Sequence, residues 1–200
     1  MITIGIDPAQ SGAACIFRGE EAKTVISWRA RTRKKKKVYE LCVTETLWDR
    51  TICDELDKET FIVGSAQEIG SEIACAALRL SLGEHESFAV CCEDAYFGKS
   101  AKTSIIVARF AGLITGACCA TITAGKHKPT ELKWVKAASW RNKLFKLSHW
   151  ANREQAKKAS LEFVPLLAPS INEHLQQQGK LDHITDAAGV GLWSIKHTTE

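Results

Sequence analysis

Two short apolar runs, each followed directly by a carboxylate, constrain the fold of this 200-residue chain more than any other feature. Residues 2–6 are mostly β-branched and lead into Asp7, and residues 87–92 lead into Glu93. Such runs predict buried strands, and ligands of α/β proteins bind where neighbouring strands end. Two carboxylates at that edge would repel each other unless a proton or a cation compensates them.

A third acidic segment, residues 181–189, reads Leu-Asp-His-Ile-Thr-Asp-Ala-Ala-Gly. On a helix, Asp182, His183 and Asp186 are three or four residues apart, so all three can project from one face. Asp186 lies in a small, otherwise apolar run, where a buried carboxylate needs a partner. The structural alternatives are an N-cap role for Asp182 and a satisfied helix histidine at His183.

These side chains suggest a hard metal ion. Carboxylates with an optional histidine suit Mg²⁺ or Mn²⁺, which keep water ligands and accept phosphate oxygens. Two such ions, about 3.5–4 Å apart, clamp a scissile phosphate. We therefore predict a site for two Mg²⁺ ions, with Mn²⁺ as a substitute, in which Asp7 bridges both ions. Glu93 would lie on one side, and Asp186 with His183 on the other.

The positive charge of the chain is clustered. The net charge is only +4, but residues 29–37 form a dense basic run and residues 126–158 a looser one. Such clusters are typical of proteins that bind a polyphosphate backbone, although a solvated hairpin tip is an equally simple explanation. The candidate DNA contacts in these runs are Arg33, Lys34, Lys35, Lys36, Arg141 and Lys143.

The hydrophobic pattern predicts an α/β fold with a mixed sheet, in which antiparallel strands come first, strands alternating with helices follow, and helices lie on both faces of the sheet. No repeat or linker divides the chain, so we expect a single domain over residues 1–200. The predicted strands are residues 2–6, 12–17, 22–28, 38–43, 88–92, 118–123 and 132–136. The predicted helices are residues 47–56, 66–82, 101–117, 153–167 and 182–196.

Several classes of protein are excluded by composition. No stretch approaches the roughly 20 apolar residues of a membrane-spanning helix, and the first residues lack the pattern of a signal peptide. The eight cysteines contain no CxxC pair, which favours buried thiols in a reducing cytoplasm over a zinc site. Gly98-Lys99-Ser100 is not a phosphate-binding loop, because Glu93 occupies the place of its first glycine.

Three motifs carry a resemblance to a known family. Residues 4–12, Ile-Gly-Ile-Asp-Pro-Ala-Gln-Ser-Gly, resemble the first motif of RuvC-type Holliday-junction resolvases, members of the RNase H-like superfamily. Residues 93–104, followed by 108–112, resemble the second motif, and residues 183–188 resemble the closing one. The order and separation of the motifs cover nearly the whole chain.

The resemblance implies an RNase H-like fold, with a mixed five-stranded sheet of three antiparallel strands and then parallel strands flanked by helices. It also implies a metal-dependent endonuclease that resolves four-way DNA junctions. Cleavage would be paired and symmetric, would leave 5′-phosphate and 3′-hydroxyl ends, and would require a homodimer but neither a membrane nor a small-molecule cofactor. By position, the catalytic metal ligands are Asp7, Glu93, His183 and Asp186, with Asp182 as the alternative to His183. The further DNA contacts are Tyr96 or its neighbour Phe97, stacked on a base, with Lys99 and Lys102 on phosphates.

Two departures from the family pattern, Ala9-Gln10 after the first acid and the very basic hairpin, resemble resolvases of bacteriophages, whose choice of DNA is broader. We expect a bacterial or phage-infected cell as the setting. The dimer surface is either the small-residue face of residues 101–117 or the apolar positions of residues 66–82. The alternatives are an RNase H-like nuclease for RNA–DNA hybrids or branched DNA, and a junction-binding module without catalysis.

Overall fold

The structure is a computed structural model that describes residues 1–9, 11–33, 38–45, 48–54, 58–81, 83, 86–94, 101–127, 129–146, 153–178 and 181–197. Within this part of the chain the strands are β1 (Ile2–Asp7), β2 (Ser11–Arg18), β3 (Glu21–Arg33), β4 (Val38–Glu45), β5 (Trp48–Asp54), β6 (Phe88–Glu93) and β7 (Pro129–Val135). The helices are α1 (Lys58–Leu80), α2 (Ala101–Ala124), α3 (Ala137–Phe145), α4 (Arg153–Leu167), α5 (Ile171–Gln178) and α6 (Leu181–His197).

The strands form one mixed sheet in the order β5-β4-β3-β2-β1-β6-β7. β1 to β5 are successively antiparallel, whereas β6 is parallel to both β1 and β7. The predicted α/β architecture is confirmed. The mixed five-stranded sheet corresponds to β3-β2-β1-β6-β7, and β4 with β5 extends it to seven strands.

The helix predicted over residues 47–56 is wrong. Residues 48–54 form β5, whose Trp48 pairs with Glu45 and whose Asp54 pairs with Tyr39 of β4. The apolar spacing in this segment matches a helix only loosely. The short connection to β4 makes antiparallel pairing the local alternative, and pairing with a neighbouring strand overrides a weak helical pattern.

The strand predicted over residues 118–123 is also wrong, because α2 continues to Ala124. Ile114, Cys118 and Ile122 recur every four residues and are fully buried in the core that α1 and α2 share. This helical spacing outweighs the strand preference of Thr121 to Thr123. The sequence patterns predicted neither α3 nor α5.

The continuation of α2 makes a long apolar helix. Among the described residues, Ser104–Ala124 is the one helix with the length and composition to cross a membrane, and 33% of its most apolar window is buried. The helix meets this criterion by length and composition alone, and Arg109 interrupts its apolar run. One side of α2 packs on α1, and the other side is exposed, with open space beside Gly112 and Gly116.

Two hydrophobic cores lie on opposite faces of the sheet. The first lies under α1 and α2 and includes Ile4, Ile16, Ile26, Ile69, Ile73, Phe110 and Ile114. The second lies under α3 to α6 and includes Phe17, Val25, Trp140, Val164, Ile171 and Leu192. The apolar positions of α1 are thus core, which leaves the small-residue face of α2 as the exposed one of the two predicted dimer surfaces.

Glycines allow α6 to lie directly on β1. A Cβ atom on Gly5 would be 2.2 Å from the carbonyl oxygen of Ala187 and 2.4 Å from the backbone nitrogen of Gly191. On the other side of this contact, a Cβ on Gly191 would be 2.6 Å from the Phe17 ring. The close approach fixes the height of α6 over the sheet, and with it the position of Asp186 beside the end of β1.

We expect Gly5→Ala to lower the free energy of unfolding by about 1–3 kcal/mol, because the new methyl group meets backbone that cannot move without shifting α6. Gly64→Ala is the matched control, since Gly64 lies in α1 with nothing within 4 Å of its added Cβ. It should be neutral or stabilising by up to about 1 kcal/mol. Urea denaturation of both variants measures the difference, and equal stability would contradict the close approach.

Candidate active site

The first two carboxylates lie side by side at the carboxyl edge of the sheet. Parallel pairing aligns Ile6 of β1 with Cys92 of β6, so Asp7 and Glu93 are the next residues of adjacent strands. Asp7 is only 9% exposed. The prediction that these two acids meet at one edge is confirmed, and they meet in a largely desolvated place.

The first turn and a half of α6 supplies the third carboxylate and the histidine. His183 Nδ1 lies 2.7 Å from Asp7 Oδ2, across 176 positions of sequence. Asp186, one turn later, is 7% exposed. Both project toward the end of β1 because α6 rests on Gly5, so the helix spacing predicted from the sequence brings them to the site together.

The three carboxylates repel one another. Burial, followed by the charges of Asp7 and Asp186, raises the pKa of Glu93 to about 8. Burial is also the main reason why the pKa of Asp186 is raised, with a further contribution from Asp7. Because ionising each of these carboxyl groups costs free energy, a positive charge nearby would stabilise the cluster.

Part of that positive charge comes from α3. Arg141 is 8% exposed, and its Nη2 lies 2.7 Å from Asp186 Oδ1. Arg141 is therefore the counter-charge of the buried Asp186 Oδ1 atom. The neighbouring Trp140 donates a hydrogen bond from Nε1 to Glu93 Oε2 at 2.9 Å. One helix therefore contacts two of the three acids.

Asp182 lies at the edge of the site, where its side chain is partly exposed. Its Oδ2 is 2.5 Å from Lys157 Nζ of α4, and its side chain is 37% exposed. Burial raises the pKa of Asp182, but the hydrogen bond from Lys157 and the charges of His183 and Lys157 together outweigh burial and hold the pKa below the ordinary value. His183 has the opposite environment, since its hydrogen bond to Asp7 raises its pKa.

The turn after Asp7 is closely packed. Trp28 Nε1 donates a hydrogen bond of 2.9 Å to the carbonyl oxygen of Ala9. A Cβ on Gly12 would lie 2.3 Å from the carbonyl oxygen of Asp7 and 2.7 Å from the Trp28 ring. The indole of β3 and the absent side chain at Gly12 together hold the chain around Asp7.

The described part of the dense basic run, residues 29–33 of β3, lies at the same end of the sheet as the acids. Arg29 pairs with Ser11, the first residue of β2 after the Asp7 turn. β3 then continues from residue 30 to residue 33, paired with residues 38–41 of β4. At about 3.3 Å per residue, this part extends roughly 13 Å past the start of β2. We call residues 29–33 the basic arm; residues 34–37 of the run lie outside the described residues.

Other predicted DNA contacts have different placements. Arg141 is buried against Asp186, not on the exposed basic surface where we expected it, because the acidic cluster supplies its counter-charge. Lys143 is exposed on α3. Tyr96, Phe97, Lys99, Lys34, Lys35 and Lys36 lie outside the described residues, as do the side chains of Arg33 in β3 and Lys102 in α2.

Sequence reasoning missed Trp140, Lys157 and Ser160. Ser160 Oγ accepts a hydrogen bond of 3.1 Å from Arg141 Nε. The contacts of α3 and α4 join residues that are distant in sequence, which no local spacing encodes. One signal was available at Gly189, where an added Cβ would lie 2.3 Å from the Trp140 ring, so the glycine makes room for an aromatic side chain.

The oxygen atoms of the three carboxylates are ligands of the kind that a hard cation prefers. Among the residues that the structure describes, no group of three or more His, Cys, Asp or Glu side chains could hold a metal ion as it stands. Protein groups instead contact one oxygen each of Asp7, Glu93 and Asp186. The clustered, mutually repelling carboxylates of Asp7, Glu93 and Asp186 fit Mg²⁺, which prefers oxygen ligands and keeps part of its water shell.

Comparison with known proteins finds matches among solved structures, but none among family models or curated proteins. No protein-family model matches the chain, and no curated protein matches it. Among solved structures, the chain is similar to T. thermophilus RuvC in complex with Holliday junction substrate, with 12% identity and a TM-score of 0.47. The match covers 100% of this chain and 96% of that one. At this level of similarity, the function has to be inferred from the chain's own residues.

We expect the metal-free protein, kept in EDTA, to lose stability as the pH rises through about 8. The pKa of Glu93 in the folded protein lies above its ordinary value of 4.5. The stability that the protonated side chain contributes is therefore complete below pH 4.5 and is lost as the pH rises through the folded-state pKa. Glu93→Gln removes this component. Urea denaturation between about pH 5 and pH 8.5 measures it.

The control for this experiment is Glu154→Gln, an exposed acid in the first turn of α4. Its stability should follow that of the wild type at every pH. If the Glu93→Gln curve also runs parallel to the wild-type curve, the carboxylate of Glu93 is not in the repelling environment described above.

Proposed function

We propose that this protein is a metal-dependent, structure-selective endonuclease that resolves four-way DNA junctions by paired, symmetric cleavage. The observation that supports this most is the convergence of Asp7, Glu93 and Asp186 from β1, β6 and α6 at the end of the sheet where the basic arm projects. The motif resemblance to RuvC-type resolvases supports the same function, with the same acids.

Asp7, Glu93 and Asp186 would hold the cations, two per site. His183 is the better fourth ligand, because it contacts Asp7 at 2.7 Å, whereas Asp182 is engaged by Lys157. Mg²⁺ bound there supplies a lowered pKa for a bound water and stabilisation of the leaving oxygen.

The chain's own groups provide the rest of the reaction. The basic arm and the exposed Lys143 of α3 would contact the phosphates that flank the cut, which fixes the strand over the acids. In the hydrolysis, the oxygen of water bonds to phosphorus while the bond from phosphorus to the 3′-oxygen breaks. Water loses one proton and the 3′-oxygen gains one, so a 5′-phosphate and a 3′-hydroxyl result.

A four-way junction has two equivalent strands to cut, so paired incision needs two active sites, and a two-fold homodimer matches the substrate. The exposed apolar surface of α2 and β7 suits such a dimer. Ile105 is 49% exposed, Leu132 50% and Trp134 44%. Leu132 and Trp134 pair with Val90 and Cys92, which face the core under α2, so all of them lie on one side of the sheet.

We expect Asp7→Asn to abolish cleavage and to leave junction binding nearly unchanged. The missing ligand costs several kcal/mol of transition-state stabilisation, about 10³-fold in rate, while lysine and arginine contacts to phosphates dominate affinity. The measurement uses labelled four-way junction, flap, duplex and RNA–DNA hybrid, each with Mg²⁺ and with EDTA. Glu154→Gln serves as the control and should cut like the wild type.

Symmetric nicks on the junction alone, present with Mg²⁺ and absent with EDTA, are the expected result for the wild type. Cutting of the hybrid alone would instead assign the protein to the hybrid nucleases. Junction binding without any cutting in Mg²⁺ would make it a binding module. Cleavage retained by Asp7→Asn would contradict the assigned site.

For the dimer, we expect Ile105→Glu and Trp134→Glu each to shift the protein from dimer to monomer in analytical ultracentrifugation. A charge placed in an apolar interface loses its hydration without gaining a partner. Leu166→Glu is the matched control, because Leu166 is 74% exposed but lies on α4, on the opposite face of the sheet. A wild-type monomer, or variants that stay dimeric, would contradict this surface.

A further inference from the structure

Two adjacent residues of α3 contact two different acids of the site. Trp140 donates from Nε1 to Glu93 Oε2 at 2.9 Å, and Arg141 Nη2 lies 2.7 Å from Asp186 Oδ1. Glu93 ends a strand and Asp186 lies on the last helix, so no shared element sets the separation of the two carboxylates. The dipeptide on α3 links them.

The Arg141 side chain is fixed on three sides. Its Nε donates to Ser160 Oγ at 3.1 Å, and its guanidinium lies 4.6 Å from the centre of the Trp140 ring. With Asp186 as the third contact, a planar, forked side chain uses several of its donors in fixed directions. A lysine at this position would keep the charge but could not make these contacts together.

Trp140 is fixed as well. Its side chain is fully buried, and its ring packs so closely on Gly189 of α6 that a Cβ there would lie 2.3 Å away. The edge of the Phe145 ring faces it, with the ring centres 5.9 Å apart. The indole therefore cannot turn, and the direction of its N–H toward Glu93 is set by packing.

We propose that Trp140 and Arg141 are positioning residues for the metal ligands: they hold one oxygen of Glu93 and of Asp186, and so orient the two carboxylates for cation binding. This inference rests on the proposed nuclease function. Groups that orient metal ligands by contacting them contribute about 10–100-fold to metal affinity.

The experiment measures the affinity of the whole protein for Mn²⁺ by electron paramagnetic resonance, in the absence of DNA. We expect Arg141→Lys and Trp140→Phe each to weaken Mn²⁺ binding by about 10-fold or more. Ser139→Ala is the matched control, because Ser139 is exposed on the same helix and has no assigned role, and its affinity for Mn²⁺ should equal that of the wild type. In cleavage assays, Arg141→Lys and Trp140→Phe should lower kcat and leave the Kd for the junction unchanged.

Arg141→Lys separates positioning from charge. If Arg141 only balances the charge of Asp186, Arg141→Lys binds Mn²⁺ like the wild type and Arg141→Met alone is impaired, which would overturn the proposal. Equal or tighter binding by all variants would overturn it too. Near-UV circular dichroism shows whether each variant is folded, and if one is not, the other decides.

The two proposals fail in different ways. If the wild-type protein binds no Mn²⁺, the proposed nuclease function fails, and the positioning role fails with it. If the wild type binds Mn²⁺ and cuts junctions while Arg141→Lys and Trp140→Phe bind Mn²⁺ equally well, only the positioning role fails.

Discussion

The mutual repulsion of three desolvated carboxylates is the constraint around which this structure is organised. Asp7, Glu93 and Asp186 come from the beginning, middle and end of the chain. Each is placed by a strand or helix whose apolar residues are buried in the cores. Their proximity opposes folding, so it persists only because burial of the two cores outweighs it. A cluster maintained at such a cost is typical of a functional site.

Close packing between the buried elements fixes the positions of the side chains in the site. Gly5 and Gly191 let α6 approach β1, and Gly189 makes room for the Trp140 ring. Each absent side chain brings a functional group nearer to the cluster: Asp186 in the first case, the indole N–H in the second. The cationic and neutral donors, His183, Trp140 and Arg141, then hold one oxygen of each acid.

Much of this arrangement was predictable from the sequence, because its signals are local. The strands that end in Asp7 and Glu93 are marked by continuous apolar runs, and α6 by the spacing of Asp182, His183 and Asp186. α4 was predicted with its observed bounds from its amphipathic pattern. The directional rules for strand ends then sufficed to bring the acids together.

The rest depended on contacts between distant segments. β5 forms because β4 is beside it, and the end of α2 stays helical because α1 covers it. In the sequence, Arg141 cannot be told from a surface cation. In the fold, Ser160 of α4 and Asp186 of α6 contact its guanidinium group. A basic residue near a phosphate-binding surface and one inside an acidic cluster have the same sequence signature, so only the fold distinguishes them.

The most direct test of the central claim is a crystal structure of the protein soaked in Mn²⁺, with anomalous diffraction data collected to locate the ions. The account predicts anomalous peaks at ligand distance from the carboxylates of Asp7, Glu93 and Asp186. Peaks confined to other acidic residues, or no peak near these three under conditions that support cleavage, would contradict it.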